Sequence, residues 1–112
     1  MPKRDNALLI EDICEAIDAI QRYTIDLDYD TFCSDRKTVD AVLRNLEVIG
    51  EAVSRISPDL RTNNPLVEWR LMSDFRNRLI HDYFGINLEM VWDVLQNQLP
   101  YNYEFLKRIS FE

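Results

Sequence analysis

The spacing of apolar residues along the chain predicts a succession of helices. Between Asp5 and Tyr23, isoleucines recur three and four residues apart, which places them on one face of a helix: Ile10, Ile13, Ile17 and Ile20. After a polar stretch from Asp26 to Ser34, a longer helix is predicted, and Pro58 ends it. Its apolar positions keep the same spacing: Val39, Val42, Leu46, Ile49, Val53 and Ile56.

The second half of the chain predicts two more helices and a final segment. After a loop from Ser57 to about Asn64, a third helix spans about Leu66 to Phe84, and Gly85 caps its end. Asn87 caps a fourth helix, which Pro100 either kinks or separates from a last helical segment. The apolar positions of these two parts are Leu88, Val91, Trp92, Leu95 and Leu99, then Tyr103, Leu106 and Ile109.

No segment alternates with the period of two that a half-buried strand requires, so the expected fold is an all-α bundle of four or five helices. The apolar arc of the third helix is broad, and the second helix is apolar at heptad spacing. Both features favour a homodimer interface. At 112 residues, the chain is expected to form one domain, 1–112.

Arg76 interrupts the apolar stripe of the third helix. At about 100° of rotation per residue, several apolar side chains fall within about 60° of it: Trp69, Met72, Leu79, Ile80 and Tyr83. A buried guanidinium without a partner would destabilise the fold by several kcal/mol, so it must be paired, hydrated in a cleft, or held for an anion. Glu47, nearest the apolar side of the second helix, is a candidate partner, and a buried ion pair is the simpler alternative to catalysis.

His81, the only histidine, lies in the last turn before Gly85 and could exchange protons near neutral pH. On a straight helix, it is about 7.5 Å along the axis and about 140° around it from Arg76, which is a poor arrangement for gripping one phosphate. Either a local distortion near Gly85 or a two-fold axis that brings in a second copy would bring the two side chains together. From the pattern alone, a surface role for His81 stays open.

Composition and charge limit the classes of function that the chain is expected to have. A net charge of −7 argues against broad electrostatic capture of nucleic acid, although four arginines against two acids between Arg61 and His81 make that region locally basic. One histidine and scattered acids offer no dense metal-ligand set, so no metal or other cofactor is expected. Cys14 and Cys33 fit reduced thiols. The N-terminal residues mix acids with apolar residues, unlike a signal peptide, which makes the cytoplasm the default compartment.

The stretch RNRLIHDYFG resembles the HEPN superfamily and, within it, the HepT-like toxins. The shared pattern is an arginine, four residues, a histidine, one residue and a tyrosine, here Arg76, His81 and Tyr83, with the polar Asn77 after the arginine. DRKTVDAVLRNLEVIGEAVSRIS before it and VWDVLQNQLP after it match that family in order and spacing. The resemblance covers about Leu8 to Ile109.

This resemblance implies an up-and-down helical homodimer with a metal-independent ribonuclease site between the two motifs, cleaving RNA such as tRNA or mRNA. His81 would act as general base or acid, and Arg76 would stabilise the charged transition state. Asn77 would orient substrate or histidine, and Arg78 would add positive potential. It also implies an MntA-like nucleotidyltransferase antitoxin that silences the toxin by transferring AMP to Tyr83. A non-catalytic nucleotide- or partner-binding helical dimer and a purely structural bundle are the alternatives.

Overall fold

The computed structural model describes residues 5–81 and 87–111, and the side chains of residues 76 and 78–81 lie outside that description. The first helix, α1, spans Asn6–Thr24, within one residue of its predicted bounds. It begins at Asp5, whose carboxylate accepts a hydrogen bond from the backbone N–H of Leu8 at 3.0 Å. The predicted isoleucine face is buried, with Ile13 and Ile17 fully inaccessible to solvent.

A short helix, α2, spans Tyr29–Ser34 within the polar stretch between the first two predicted helices. Asp28 caps it by accepting the N–H of Thr31 at 2.8 Å, and this bond lowers the pKa of the Asp28 carboxyl. Phe32 is completely buried and lies 5.1 Å from the ring of Trp92, centroid to centroid. The sequence did not predict this helix, because six residues with one buried side chain are too few to show a helical period.

The long helix α3 spans Arg36–Ser54, and it ends four residues before Pro58. Asp35 caps its start, and hydrogen bonds from the hydroxyl and the backbone N–H of Thr38 lower the pKa of the Asp35 carboxyl. Pro58 does not simply end α3, because it opens another short helix, α4, over Pro58–Asn63. The predicted loop from Ser57 to Asn64 is therefore corrected to a helix that the Ser57 hydroxyl caps.

The helix that carries the unusual arginine, α5, spans Trp69–His81. It begins three residues later than predicted, because the chain turns after Pro65: the N–H of Val67 bonds to the carbonyl of Asn64. The predicted end at Phe84 and the Gly85 cap lie outside the described residues.

The fourth predicted helix is observed as one continuous helical segment of three parts. Helix α6 spans Leu88–Asp93, a π-helical turn spans Val94–Gln98, and α7 spans Leu99–Leu106. Asn87 caps α6 by accepting the N–H of Met90, as predicted. Pro100 lies in the first turn of α7, directly after the π-helical turn, where its missing N–H and its ring interfere least. It therefore interrupts the regular helix without ending it.

Helix α3 is central to the packing, because both α1 and α5 pack against it, while α7 packs against α1. The Asn6 amide donates to the Ser57 hydroxyl at 2.9 Å and accepts the backbone N–H of Ser57. These bonds place the start of α1 beside the end of α3, so the two helices run antiparallel. Across residues 5–81 and 87–111 the ordered elements are all helical, which confirms the all-α bundle. The homodimer stays a prediction.

None of the helices in the described part of the chain combines the length and apolar character needed to cross a membrane.

Candidate active site

Helix α5 carries four of the five residues predicted to form the site. Arg76, Asn77, Arg78 and His81 all lie on it, and His81 is its last residue. The Asn77 side chain is exposed. Tyr83, the predicted AMP acceptor, lies outside the described residues. One helix therefore presents the arginine, the polar residue after it and the histidine.

Buried side chains bracket the position of Arg76 on α5. Trp69 and Phe75 are 7% exposed, and Met72 is fully buried. On a helix, Phe75 and Met72 lie about 100° and about 40° from position 76 on one side, and Trp69 lies about 20° from it on the other. Farther round on that second side, at about 100° and about 120°, Asn77 and Arg70 are exposed. The predicted apolar stripe is thus confirmed for Trp69, Met72 and Phe75. Position 76 lies on the buried face of α5, near the boundary with its exposed face.

The partner predicted for Arg76 stays untested, because the arginine side chain is outside the description. Glu47 is 39% exposed, and one of its carboxylate oxygens lies 3.6 Å from a guanidinium nitrogen of Arg44, one turn earlier on α3. Such an exposed pair on one helix contributes at most a few tenths of a kcal/mol. Glu47 therefore already has a neighbouring cation on its own helix.

The backbone of α5 keeps Arg76 and His81 apart. The helix is α-helical from Trp69 through His81, so positions 76 and 81 are about 7.5 Å apart along its axis and about 140° apart around it. In the part of α5 that the structure describes, the backbone does not bend to bring them together. A site that uses both residues on one phosphate needs another element to complete it.

A buried asparagine on α7 holds the start of α5 in place. The Asn102 oxygen accepts the backbone N–H of Glu68 at 2.8 Å, and its amide donates to the Glu68 carboxylate at 2.9 Å and to the Gln98 carbonyl at 2.8 Å. Asn102 is completely buried. Close by, the indole N–H of Trp69 donates to the carbonyl of Asn64 at 3.0 Å. These bonds set where α5 begins and thus the register of every residue on it.

Sequence reasoning missed Asn102, although the chain carries a signal for it. The buried residues of α7 are Leu99, Asn102 and Leu106, which follow the three-four spacing of an apolar face. A polar residue on such a face must find hydrogen-bond partners inside the fold. The pattern could have marked Asn102 as a structural anchor, but the partners on the distant Glu68 could not have been read from it.

The described side chains near α5 do not form a metal site. Among the side chains that the structure describes, which do not include that of His81, no group of three potential metal ligands is close enough to hold a metal ion. Two arginines of the locally basic segment from Arg61 to His81 differ in their surroundings. The Arg61 guanidinium donates a hydrogen bond to the carbonyl of Val53, whereas Arg70 is exposed on α5. Positive charge therefore reaches the surface on the site helix.

Comparison with known proteins places the chain in a family. Residues 13–109 match the family model described as "Ribonuclease HepT-like". A Methanocaldococcus jannaschii protein named "Putative RNase MJ0127" is 42% identical over 97% of this chain and 90% of its own length. "Probable ribonuclease HepT" from Thermococcus cleftensis is 39% identical over 88% of this chain and 89% of its own. No solved structure gave a significant match. The match covers α3, α5 and the Arg76 to His81 segment, and on this evidence the chain belongs to the HepT-like ribonuclease family.

Proposed function

We propose that the protein is the toxin of a toxin-antitoxin system and acts as a metal-independent endoribonuclease in the cytoplasm. The observation that carries the proposal is the placement of Arg76, Asn77 and His81 on one helix within a chain that matches the HepT-like ribonuclease model over residues 13–109. The ribonuclease names of the relatives support the same activity class.

In the proposed reaction, His81 takes the proton from a ribose 2′-hydroxyl, and the 2′ oxygen attacks the adjacent phosphorus. The new O2′–P bond forms as the P–O5′ bond breaks, and the 5′ oxygen leaves with a proton from an imidazolium. The products are a 2′,3′-cyclic phosphate and a 5′-hydroxyl. Arg76 stabilises the extra negative charge on the phosphorus oxygens, Asn77 orients the substrate or the histidine, and Arg78 adds positive potential.

We further propose that two copies form this site across a two-fold axis. The separation of Arg76 and His81 on a regular α5 supports this, because a second α5 facing the first would supply the missing partner for each residue. A contact between two copies close to the arginine would exclude water, and this would strengthen its attraction for phosphate.

The activity test is RNA cleavage by purified protein in EDTA, with product ends identified. We expect cleavage by the wild type that leaves a 2′,3′-cyclic phosphate, and loss of at least 100-fold in rate for His81→Ala and Arg76→Ala, as is usual for acid-base and electrostatic groups. Arg70→Ala is the matched control, since it removes an exposed arginine from the same helix. Activity abolished by EDTA and restored by magnesium would overturn the mechanism.

A growth assay separates this function from a binding role. Induced wild type should arrest growth of a host cell, while folded, dimeric His81→Ala should not. If both proteins arrest growth equally, the imidazole is not required, and a non-catalytic nucleotide- or partner-binding dimer replaces the ribonuclease.

For regulation, we propose that a nucleotidyltransferase antitoxin transfers AMP to the hydroxyl of Tyr83. The tyrosine oxygen would attack the α-phosphate of ATP and release pyrophosphate. The added phosphate would compete for the Arg76 guanidinium and repel RNA. Co-expression with the partner should increase the mass of the wild type and of Tyr23→Phe, which lacks a different, half-exposed tyrosine hydroxyl. Tyr83→Phe should show no increase; adenylylation of that variant would refute Tyr83 as the acceptor.

A further inference from the structure

Apolar side chains bury one face of α5, and such contacts specify the position of a helix along its own axis less sharply than hydrogen bonds do. Trp69, Met72 and Phe75 are buried in the bundle. Hydrophobic contacts are non-directional, so they tolerate a small slide or rotation of the helix. A hydrogen bond weakens steeply when its distance or angle changes. The directional bonds to α5 therefore decide where its residues lie.

Two such bonds hold the start of α5. The indole N–H of Trp69 donates to the carbonyl of Asn64 at 3.0 Å, which ties the helix to the connection just before it in the chain. The backbone N–H of Glu68 donates to the side-chain oxygen of Asn102 at 2.8 Å. Asn102 belongs to α7, so the second bond ties the start of α5 to a distant helix of the bundle.

Asn102 is itself held in one orientation. It is completely buried, and its amide donates to the carbonyl of Gln98 at 2.8 Å, on its own helical segment, and to the carboxylate of Glu68 at 2.9 Å. Both amide protons and the oxygen are thus used. A buried polar group with all its hydrogen bonds satisfied favours one arrangement of the elements that it joins.

We propose that Asn102 is a positioning residue for RNA cleavage, an inference that rests on the function proposed above. Arg76 and His81 follow Glu68 by about 12 Å and about 20 Å along a regular helix, so a slide of α5 carries both with it. In a site formed by two copies across a two-fold axis, the second copy shifts in the opposite sense, and the error doubles. A misplacement of about 1 Å can lower a rate about 100-fold.

Steady-state RNA cleavage by Asn102→Ala tests the proposal, at a temperature where circular dichroism shows each variant to be folded. We expect kcat to fall about tenfold or more while KM stays within about threefold, because the RNA-binding groups are kept and only their alignment changes.

Ile17→Ala is the matched control for this measurement. Ile17 is fully buried on α1, so its truncation destabilises the fold by an amount comparable to the loss of Asn102. Its helix packs on α3 and α7. The kcat of this variant, per folded molecule, should stay within about twofold of the wild type, because lost stability alone leaves the alignment of the folded site unchanged.

Hydrogen exchange of backbone amides tests the anchor without RNA. In Asn102→Ala the amides of Met72 and Ser73, in the first turns of α5, should exchange about tenfold faster relative to amides in the middle of α3, because the start of α5 opens locally. In Ile17→Ala that ratio should stay as in the wild type, because a general loss of stability speeds exchange in both helices alike.

Two results would overturn the inference. One is an active wild type for which Asn102→Ala and Ile17→Ala have the same kcat. The other is an unchanged exchange ratio between α5 and α3 in Asn102→Ala. If the wild type itself cleaves no RNA, the proposed function fails, and the exchange ratio alone decides whether Asn102 positions α5.

Discussion

Replacing Asn102 by alanine removes the side chain that joins α7 to the start of α5. The variant loses three hydrogen bonds of 2.8 to 2.9 Å, including the one that Asn102 accepts from the backbone N–H of Glu68. Each such bond contributes about 1 kcal/mol, and truncating a completely buried side chain leaves a gap, so the free energy of unfolding should fall by about 2–4 kcal/mol. For a domain of this size, the midpoint of thermal unfolding should fall by roughly 8–16 °C.

Asn97→Ala is the control for this prediction. Asn97 lies in the π-helical turn, is exposed, and makes a single side-chain bond to Asp93. Its loss should change the free energy of unfolding by no more than about 0.5 kcal/mol. Urea unfolding at equal protein concentration, followed by circular dichroism, measures both variants. If Asn102→Ala unfolds within 1 kcal/mol of Asn97→Ala, Asn102 does not anchor α5 as argued.

Two further predictions concern α2 and the helix caps. Phe32→Ala should lower the free energy of unfolding by about 3–5 kcal/mol, because it empties a fully buried site against Trp92. In the same urea assay the control Phe111→Ala, which removes a half-exposed ring, should lower it by less than about 1 kcal/mol. The carboxyls of Asp28 and Asp35 have lowered pKa values, so they stabilise the fold above the unfolded pKa of about 3.9 and lose that contribution as pH falls through their lower folded values. The double variant Asp28→Asn, Asp35→Asn keeps capping side chains that do not titrate, and its melting temperature should fall less between pH 5 and pH 2 than that of the wild type. An equal fall would contradict the assignment.

The long helices could be predicted from the sequence because each buries a face over several turns. The isoleucines of α1 and the branched residues of α3 repeat often enough to reveal a period, and Asp5 and Asn87 are recognisable caps. The short helices could not be predicted in this way. Helix α4 has no buried residue, and its start depends on the Ser57 hydroxyl, which accepts the backbone N–H of Leu60. In the sequence, a serine followed by a proline also indicates an ordinary turn.

For the candidate site, the sequence indicated the candidate residues, such as Arg76 and His81, and the face of α5 that is buried. The burial of Trp69, Met72 and Phe75 follows the apolar stripe that was predicted around Arg76. The sequence could not indicate which contact holds the start of α5, because the contact between Asn102 and Glu68 joins residues 34 positions apart. Contacts between residues so far apart in the sequence depend on how the helices pack. The spacing of apolar residues within one helix carries no information about that packing.

The two tryptophans report on different parts of the fold. Trp69 is 7% exposed, and its indole bonds to the carbonyl of Asn64 at the start of the site helix. Trp92 is half-buried against Phe32 and lies 6.1 Å from the ring of Tyr29. The variants Trp92→Phe and Trp69→Phe would each leave one tryptophan, at either the anchored end of α5 or the packing between α2 and α6, and excitation near its absorption edge would select it over the five tyrosines. Fluorescence could then follow the two regions separately and show whether they unfold as one cooperative unit.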